Sequence, residues 1–178
     1  MTSRVIRPAT TADVAPCVAI YAPYVTDTLV TFEETVPTAG AFAVRIATAQ
    51  QQHAFLVLEE GGVVLGYAYA VPMYDRPAYR WACEVSVYLG ADAVGGGRGR
   101  ALYAELLARL RERGYRRVFA KVTLPNEASI GLHTAFGFRF AGTLELAGFK
   151  HGTWASVAIL QLDLDDTTDR AAAPAPIA

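Results

Sequence analysis

Residues 95–99 read Gly-Gly-Gly-Arg-Gly. They lie between a run that alternates like a strand, Glu84-Val85-Ser86-Val87-Tyr88-Leu89, and one that favours a helix, Ala101-Leu102-Tyr103-Ala104-Glu105-Leu106-Leu107. Few backbone paths connect a strand to a helix through a turn of nearly bare glycine. Without Cβ atoms the turn can aim successive N–H groups at one point. The positive end of the helix that follows faces the same point. The unit predicts an anion cradle, with the Glu84 carboxylate on the strand leading into it.

Two common phosphate loops fail against this stretch. A Gly-x-Gly-x-x-Gly fingerprint started at Gly95 places Arg100 sixth, and started at Gly97 it places Leu102 there. No Gly-Lys-Ser/Thr follows, so a Walker A loop is excluded as well.

The rest of the chain predicts the setting of the cradle. Arg4 to Arg7 is a short strand, and Thr10 with Asp13 forms a capping box for a helix to about Tyr24. A second helix covers Ala39 to Gln52, after an irregular stretch from Asp27 to Pro37. His53 to Glu59 and Val63 to Val71 form a hairpin, and Cys83 to Leu89 a further strand. A helix runs from the glycine turn to Arg113 and ends at Gly114; Arg116 to Val122 is a strand. Asn126 caps a short helix to Phe136, and Phe138 to Leu146 and Thr153 to Leu164 complete the sheet. This order is that of one mixed α/β domain, residues 1–164, with a largely antiparallel twisted sheet flanked by helices. Residues 165–178, rich in Ala and Pro, are expected to be a flexible tail.

Composition narrows the partners. A net charge of −1 and 53% hydrophobic residues suit a packed core and disfavour a general nucleic-acid surface. The cluster Arg109, Arg111, Arg113, Arg116 and Arg117 reads as a solvated helix face, or in part as a helper for a polyphosphate at the glycine loop. Two cysteines, Cys17 and Cys83, fit neither a disulfide framework nor a metal site. No metal is expected, and the location expected is cytoplasmic. No apolar leader or membrane span is visible, so no membrane partner is expected either.

Three blocks carry a family resemblance. Val94-Gly95-Gly96-Gly97-Arg98-Gly99 resembles the Gln/Arg-x-x-Gly-x-Gly/Ala loop of the GNAT acetyltransferases, with Val94 where that family has Gln or Arg. Asn126 to Phe138 resembles the late GNAT motif in which a Tyr follows the Asn by seven residues; here that position holds His133. Leu124-Pro125-Asn126, Thr31-Phe32-Glu33 and Gly148-Phe149-Lys150-His151-Gly152-Thr153-Trp154 are similar to the phosphinothricin and methionine sulfoximine N-acetyltransferase group.

That resemblance implies acetyl-CoA as co-substrate and a small amino-acid analogue as acceptor, acetylated on its α-amine by a homodimer. It implies pyrophosphate binding by Val94, Gly95, Gly96, Gly97, Arg98, Gly99, Arg100 and Ala101. Val87, Tyr88 and Leu89 would hold the pantetheine as an added strand, and Asn126 and Ser129 would contact CoA. Glu84 stands at the position of the general base and His133 at that of the donor to the departing thiolate, while His151 reads as a further polar contact or a second proton relay.

The residue pattern adds its own constraints. Glu84, Ser86 and Tyr88 share one strand face, and Cys83, Val85, Val87 and Leu89 share the other. Cys83 therefore points away from Glu84, against a nucleophilic thiol. Glu84 is either that base or a structural partner of Arg76 or Arg80. Arg76, Tyr79 and Arg80 supply a carboxylate grip, or else surface salt bridges, and Phe32 and Glu33 an opposite wall. Lys150 reads as an exposed anchor. Competing readings are a polyamine, arylamine or protein N-terminus as acceptor, or a non-catalytic acyl-CoA sensor. The first would want acidic residues in the pocket loop, and the last needs no base.

Overall fold

Alternating apolar residues along the strands, covered by helices on both sides, produce a three-layer molecule. The computed structural model describes residues 3–164, so the tail expected at 165–178 lies outside the described residues. In chain order the elements are β1 (Arg4–Pro8), α1 (Val14–Thr26), α2 (Ala39–Gln52), β2 (Ala54–Glu60), β3 (Val63–Pro72), β4 (Ala82–Leu89), α3 (Arg98–Glu112), β5 (Arg117–Thr123), α4 (Glu127–Ala135), β6 (Arg139–Lys150) and β7 (Thr153–Asp163). A single sheet orders the strands β1-β2-β3-β4-β5-β7-β6.

Both faces of the central strands are buried, so β2 reads as a continuous apolar run, Ala54 to Leu58. One face sends Leu56, Leu58, Ala68, Ala70, Val85, Val118 and Ala120 against α3, with Leu102, Leu106 and Leu110 as its buried stripe. The other sends Phe55, Val57 and Tyr67 against α1 and α2.

Turn chemistry fixes the register. Gly61 and Gly62, at φ 59° and 83°, close the β2–β3 hairpin as the two-residue turn that positive φ demands. His151 and Gly152 do the same between β6 and β7 at φ 51° and 74°. The carboxylate of Asp13 accepts from the Thr10 N–H at 2.7 Å and from both ends of the Arg7 guanidinium. Those bonds tie the start of α1 to β1.

One boundary and one side-chain cluster differ from expectation. The last hairpin is longer, because β6 runs on to Lys150 through irregular pairing between Leu144 and Gly148. Its Gly-Phe-Lys residues are therefore strand, not loop. The arginine cluster at residues 109–117 lies at the C-terminal end of α3, about 20 Å along the helix from the glycine turn at 1.5 Å per residue. It holds no polyphosphate there: Arg109 pairs with Glu105 and Arg111 donates to the Leu164 carbonyl.

The feature that positions the site is the one parallel pairing. β4 and β5 are bonded only from Ala82–Arg117 to Glu84–Phe119 and then part. Beyond that point β4 still pairs with β3, out to Leu89. Its other edge is left free along a wedge.

Candidate active site

The wedge is a cleft between Val85–Tyr88 of β4 and Lys121–Thr123 of β5, with Asn126, Ser129 and His133 of α4 at its floor and Val30 above. An edge with spare N–H and C=O groups accepts an extended amide chain as if it were a strand. The side chains beside it are otherwise engaged. The Tyr88 ring packs edge-on against Tyr21 and Tyr24, and the Tyr24 hydroxyl donates to the Leu89 carbonyl at 2.7 Å. The main chain of β4 beyond Glu84, through Val87 and Tyr88, is left to face the wedge.

The glycine turn sits where β4 hands over to α3. Gly95, Gly96 and Gly97 have φ of 94°, 59° and 70°, a run of left-handed residues that other side chains adopt at a steric cost. The first helical bond joins the Ala101 N–H to the Gly97 carbonyl at 2.9 Å. The N–H groups of Gly99 and Arg100 thus precede the ladder and are free for an anion. The fit of a pyrophosphate rests on this backbone. Val94 is 69% exposed.

Arg98 does not turn toward the cradle. Its guanidinium binds Glu60 Oε2 at 2.8 Å, while Arg4 takes Oε1 of the same carboxylate and reaches the Gly96 carbonyl at 3.2 Å. The loop is braced from behind by the β2–β3 turn. Arg100 lies over the Phe136 ring at 5.7 Å.

Glu84 stands at the throat of the wedge, where the two strands separate. Its Oε2 meets Lys121 Nζ at 2.7 Å, so its partner is neither Arg76 nor Arg80. Register places it opposite Val71, with Ser86 opposite Tyr69. That face opens on a largely apolar cavity of about 300 Å³ whose walls include Tyr21, Arg45, Tyr69 and Val71. Cys83 is fully buried on the far face, and burial pushes its thiol up; Cys17 is pushed up to about 12 for the same reason. Neither is a thiolate nucleophile.

Asn126 combines two tasks: its side-chain oxygen caps α4 by accepting from the Ser129 N–H at 3.1 Å, and it lines the cleft. His133 is 4% exposed, edge-on to Tyr103 and Phe138. Its Nδ1 lies 2.7 Å from the Ser129 carbonyl, which only accepts, so the ring proton sits on Nδ1. Nε2 is buried with no protein partner. Desolvation lowers the pKa against the opposing pull of the Ser129 carbonyl, keeping the ring neutral. A neutral ring of this tautomer has no proton at Nε2 to donate, so His133 at rest is an acceptor rather than an acid.

The acceptor residues expected from sequence are only partly assembled. Glu33 is gripped by Arg45 at 2.6 and 3.0 Å and by the Tyr21 hydroxyl. Phe32 lies against Gly148, where a Cβ would overlap its ring. Arg76, Tyr79 and Arg80 line an adjoining cleft of about 480 Å³ with His53 and Tyr115; it shares Gln52, His53 and Pro72 with the apolar cavity. Arg80 donates from Nε to the Pro77 carbonyl and covers the Trp81 ring at 4.8 Å, which holds it against its own loop rather than against Glu84. His151 occupies the exposed turn between β6 and β7.

Two residues were missed or misread from sequence. Lys150 is not an exposed anchor: it is 2% exposed, and its ammonium donates to the Thr28 and Thr31 carbonyls at 2.9 and 2.7 Å. Burial lowers its pKa, opposed by Glu34 and Glu33. The lysine fastens the loop that carries Val30 and Phe32 over the wedge. Lys121 drew no attention, although a cation two residues beyond the last β4–β5 pair falls on the face of Glu84.

A splayed parallel pair, a positive-φ glycine turn opening a helix and a carboxylate at the throat define an acyl-CoA-dependent acyltransferase site. Residues 6–158 match the acetyltransferase (GNAT) domain family, and the chain belongs to it. It is an acetyl-CoA-dependent N-acetyltransferase. The chain is 40% identical over 171 residues, 94% of its length and 85% of the relative's, to a phosphinothricin N-acetyltransferase of Alcaligenes faecalis. It is 37% identical to an L-methionine sulfoximine/L-methionine sulfone acetyltransferase of Pseudomonas paraeruginosa, over 91% of this chain and 95% of the other. Its fold superposes with TM-score 0.91 and 37% identity on a phosphinothricin acetyltransferase of Sinorhizobium meliloti solved with acetyl-CoA, covering 97% and 93% of the two chains.

Proposed function

We propose that this protein transfers acetyl from acetyl-CoA to the α-amine of a small amino-acid analogue of the phosphinothricin, methionine sulfoximine or methionine sulfone type, with Glu84 as general base. The observation that carries the reading is the Glu84 carboxylate at the throat of the wedge, beside the freed edge of β4. The names of the relatives support the acceptor class.

An ammonium has no lone pair, so the acceptor must lose a proton before its nitrogen attacks. Glu84 takes that proton, directly or through one water. Attack forms the amide C–N bond as the thioester C–S bond breaks; CoA leaves as a thiolate that takes the second ammonium proton through water, and Glu84 returns the first to solvent. A β4 N–H near Tyr88 donates to the thioester carbonyl oxygen, where negative charge develops. The glycine turn holds the pyrophosphate, and the wedge excludes water from the pantetheine. Attack is direct, since both thiols are buried and protonated.

The β6–β7 hairpin supports a homodimer. Phe140, Leu144, Leu146, Phe149 and Trp154 are each 47–63% exposed on it, an apolar surface suited to a second copy. Two free, buried thiols suit a cytoplasmic setting. No helix among the described residues is long and apolar enough to cross a membrane.

The test is thiol release from acetyl-CoA with L-phosphinothricin, methionine sulfoximine, methionine sulfone, spermidine and a short peptide. Release is expected with the amino-acid analogues. Release with none of the five, or preferentially with spermidine or peptide, refutes the proposal. Glu84→Gln should retain acetyl-CoA binding while kcat falls by about 10²–10⁴; an unchanged kcat removes Glu84 from the chemistry.

A further inference from the structure

We infer that Glu84 and Lys121 together form a receptor for the zwitterionic end of the acceptor, with Lys121 as the residue that binds its carboxylate. The inference deepens the proposed function and rests on it. Lys121 follows Phe119, the last β5 residue paired with β4, by two positions, so its side chain rises on the same sheet face as Glu84. The two charged groups meet at 2.7 Å, with side chains 22% and 38% exposed, and Lys121 lines the wedge.

An α-amino acid carries its ammonium and carboxylate on one carbon, within hydrogen-bonding reach of each other. It can therefore exchange partners with the pair, its ammonium going to Glu84 and its carboxylate to Lys121. Two ion pairs exist before and after, and no charge is left bare. An amine without a carboxylate cannot make that exchange. It would compete with Lys121 for one carboxylate and leave a cation uncompensated beside it.

Several other cations are held by partners of their own, and Arg76 lines the adjoining cleft rather than the wedge. Lys150 serves two loop carbonyls, Arg45 serves Glu33, Arg98 serves Glu60, and Arg80 serves Pro77 and Trp81. Lys121 is the cation whose contact with Glu84 an incoming zwitterion would open.

The experiment compares methionine sulfone with its decarboxylated amine, 3-(methylsulfonyl)propylamine, in wild type, Lys121→Met and Lys121→Arg with saturating acetyl-CoA. Wild type is expected to favour the amino acid. Lys121→Met should raise KM for methionine sulfone about 10- to 100-fold, the range of a lost charge-assisted bond, and should raise kcat/KM for the amine. Lys121→Arg should keep most of the wild-type preference. A lysine serving only the fold would lower both acceptors in parallel, and an amino-acid to amine ratio unmoved by Lys121→Met overturns the inference. Lys121→Gln carries the same comparison should the methionine variant fail to fold. Wild type that acetylates neither compound overturns the proposed function and this inference with it. Turnover of methionine sulfone with a ratio indifferent to residue 121 overturns this inference alone.

Discussion

Gly148→Ala should destabilise the protein, and removing Phe32 should turn that loss into a gain. Gly148 has no positive φ, so alanine suits its backbone, and glycine there is not explained by conformation. In an unobstructed strand the exchange would stabilise by about 0.4–1 kcal/mol through the unfolded chain. Here the new Cβ would overlap three atoms of the Phe32 ring. Forcing a methyl group into a filled contact costs about 1–3 kcal/mol. The two terms leave a net loss centred on about 1.3 kcal/mol and reaching about 2.6 kcal/mol at most. With Phe32→Ala already in place the overlap vanishes, and the same exchange should stabilise by about 0.4–1 kcal/mol. Urea unfolding of wild type, both single variants and the double variant closes the cycle, with the change in sign as the readout. A Gly148→Ala protein as stable as wild type, or an equal loss with and without Phe32, would refute the packing argument.

Three further outcomes are expected. His53 is buried, and desolvation, aided by the charge of Arg113, pushes it down from 6.5 to about 4. Below pH 6.5 the unfolded chain binds a proton that the folded one refuses, so stability is full above that value and falls as pH drops toward 4. The loss is at most about 3.4 kcal/mol; His53→Phe should flatten the slope in unfolding midpoints, with His133 leaving a remainder. Glu60→Gln should weaken acetyl-CoA binding severalfold by calorimetry with little change in unfolding midpoint, because it unlatches Arg4 and Arg98 from the glycine turn; unaltered affinity would make the brace irrelevant. Phe149→Ser with Trp154→Ser should convert a dimer into a monomer in sedimentation, and an unchanged sedimentation coefficient would place any interface elsewhere.

The local physics of the chain was legible. Asn126, Gly114 and the Gly61-Gly62 turn announce helix ends and a hairpin through conformational demands that act within a few residues. The Glu84 face followed from period two. What stayed hidden depends on contacts distant in sequence. Lys150 reaches Thr28 across 122 positions, so nothing near it marks a buried ammonium. Glu60 and Arg98 lie 38 positions apart, and a loop arginine beside glycines naturally suggests an anion rather than a brace. Lys121 was invisible because the splay that brings it to Glu84 belongs to the sheet and leaves no trace in either strand. The arginines of the 76–80 loop were attractive by chemistry alone; cation stacking on Trp81 decides where Arg80 goes.

The early end of the β4–β5 ladder has a consequence for how such a protein diversifies. A seam of peptide groups is indifferent to the side chains hung on it, so mutation has little purchase on what threads between these strands. The neighbouring cavity is the opposite, with every wall a side chain and each wall one codon change from another shape. Donor use should thus be inherited nearly intact while acceptor preference drifts. A laboratory selection for a new acceptor has its raw material in the walls around Tyr21, Tyr69 and Val71, and should leave the seam alone.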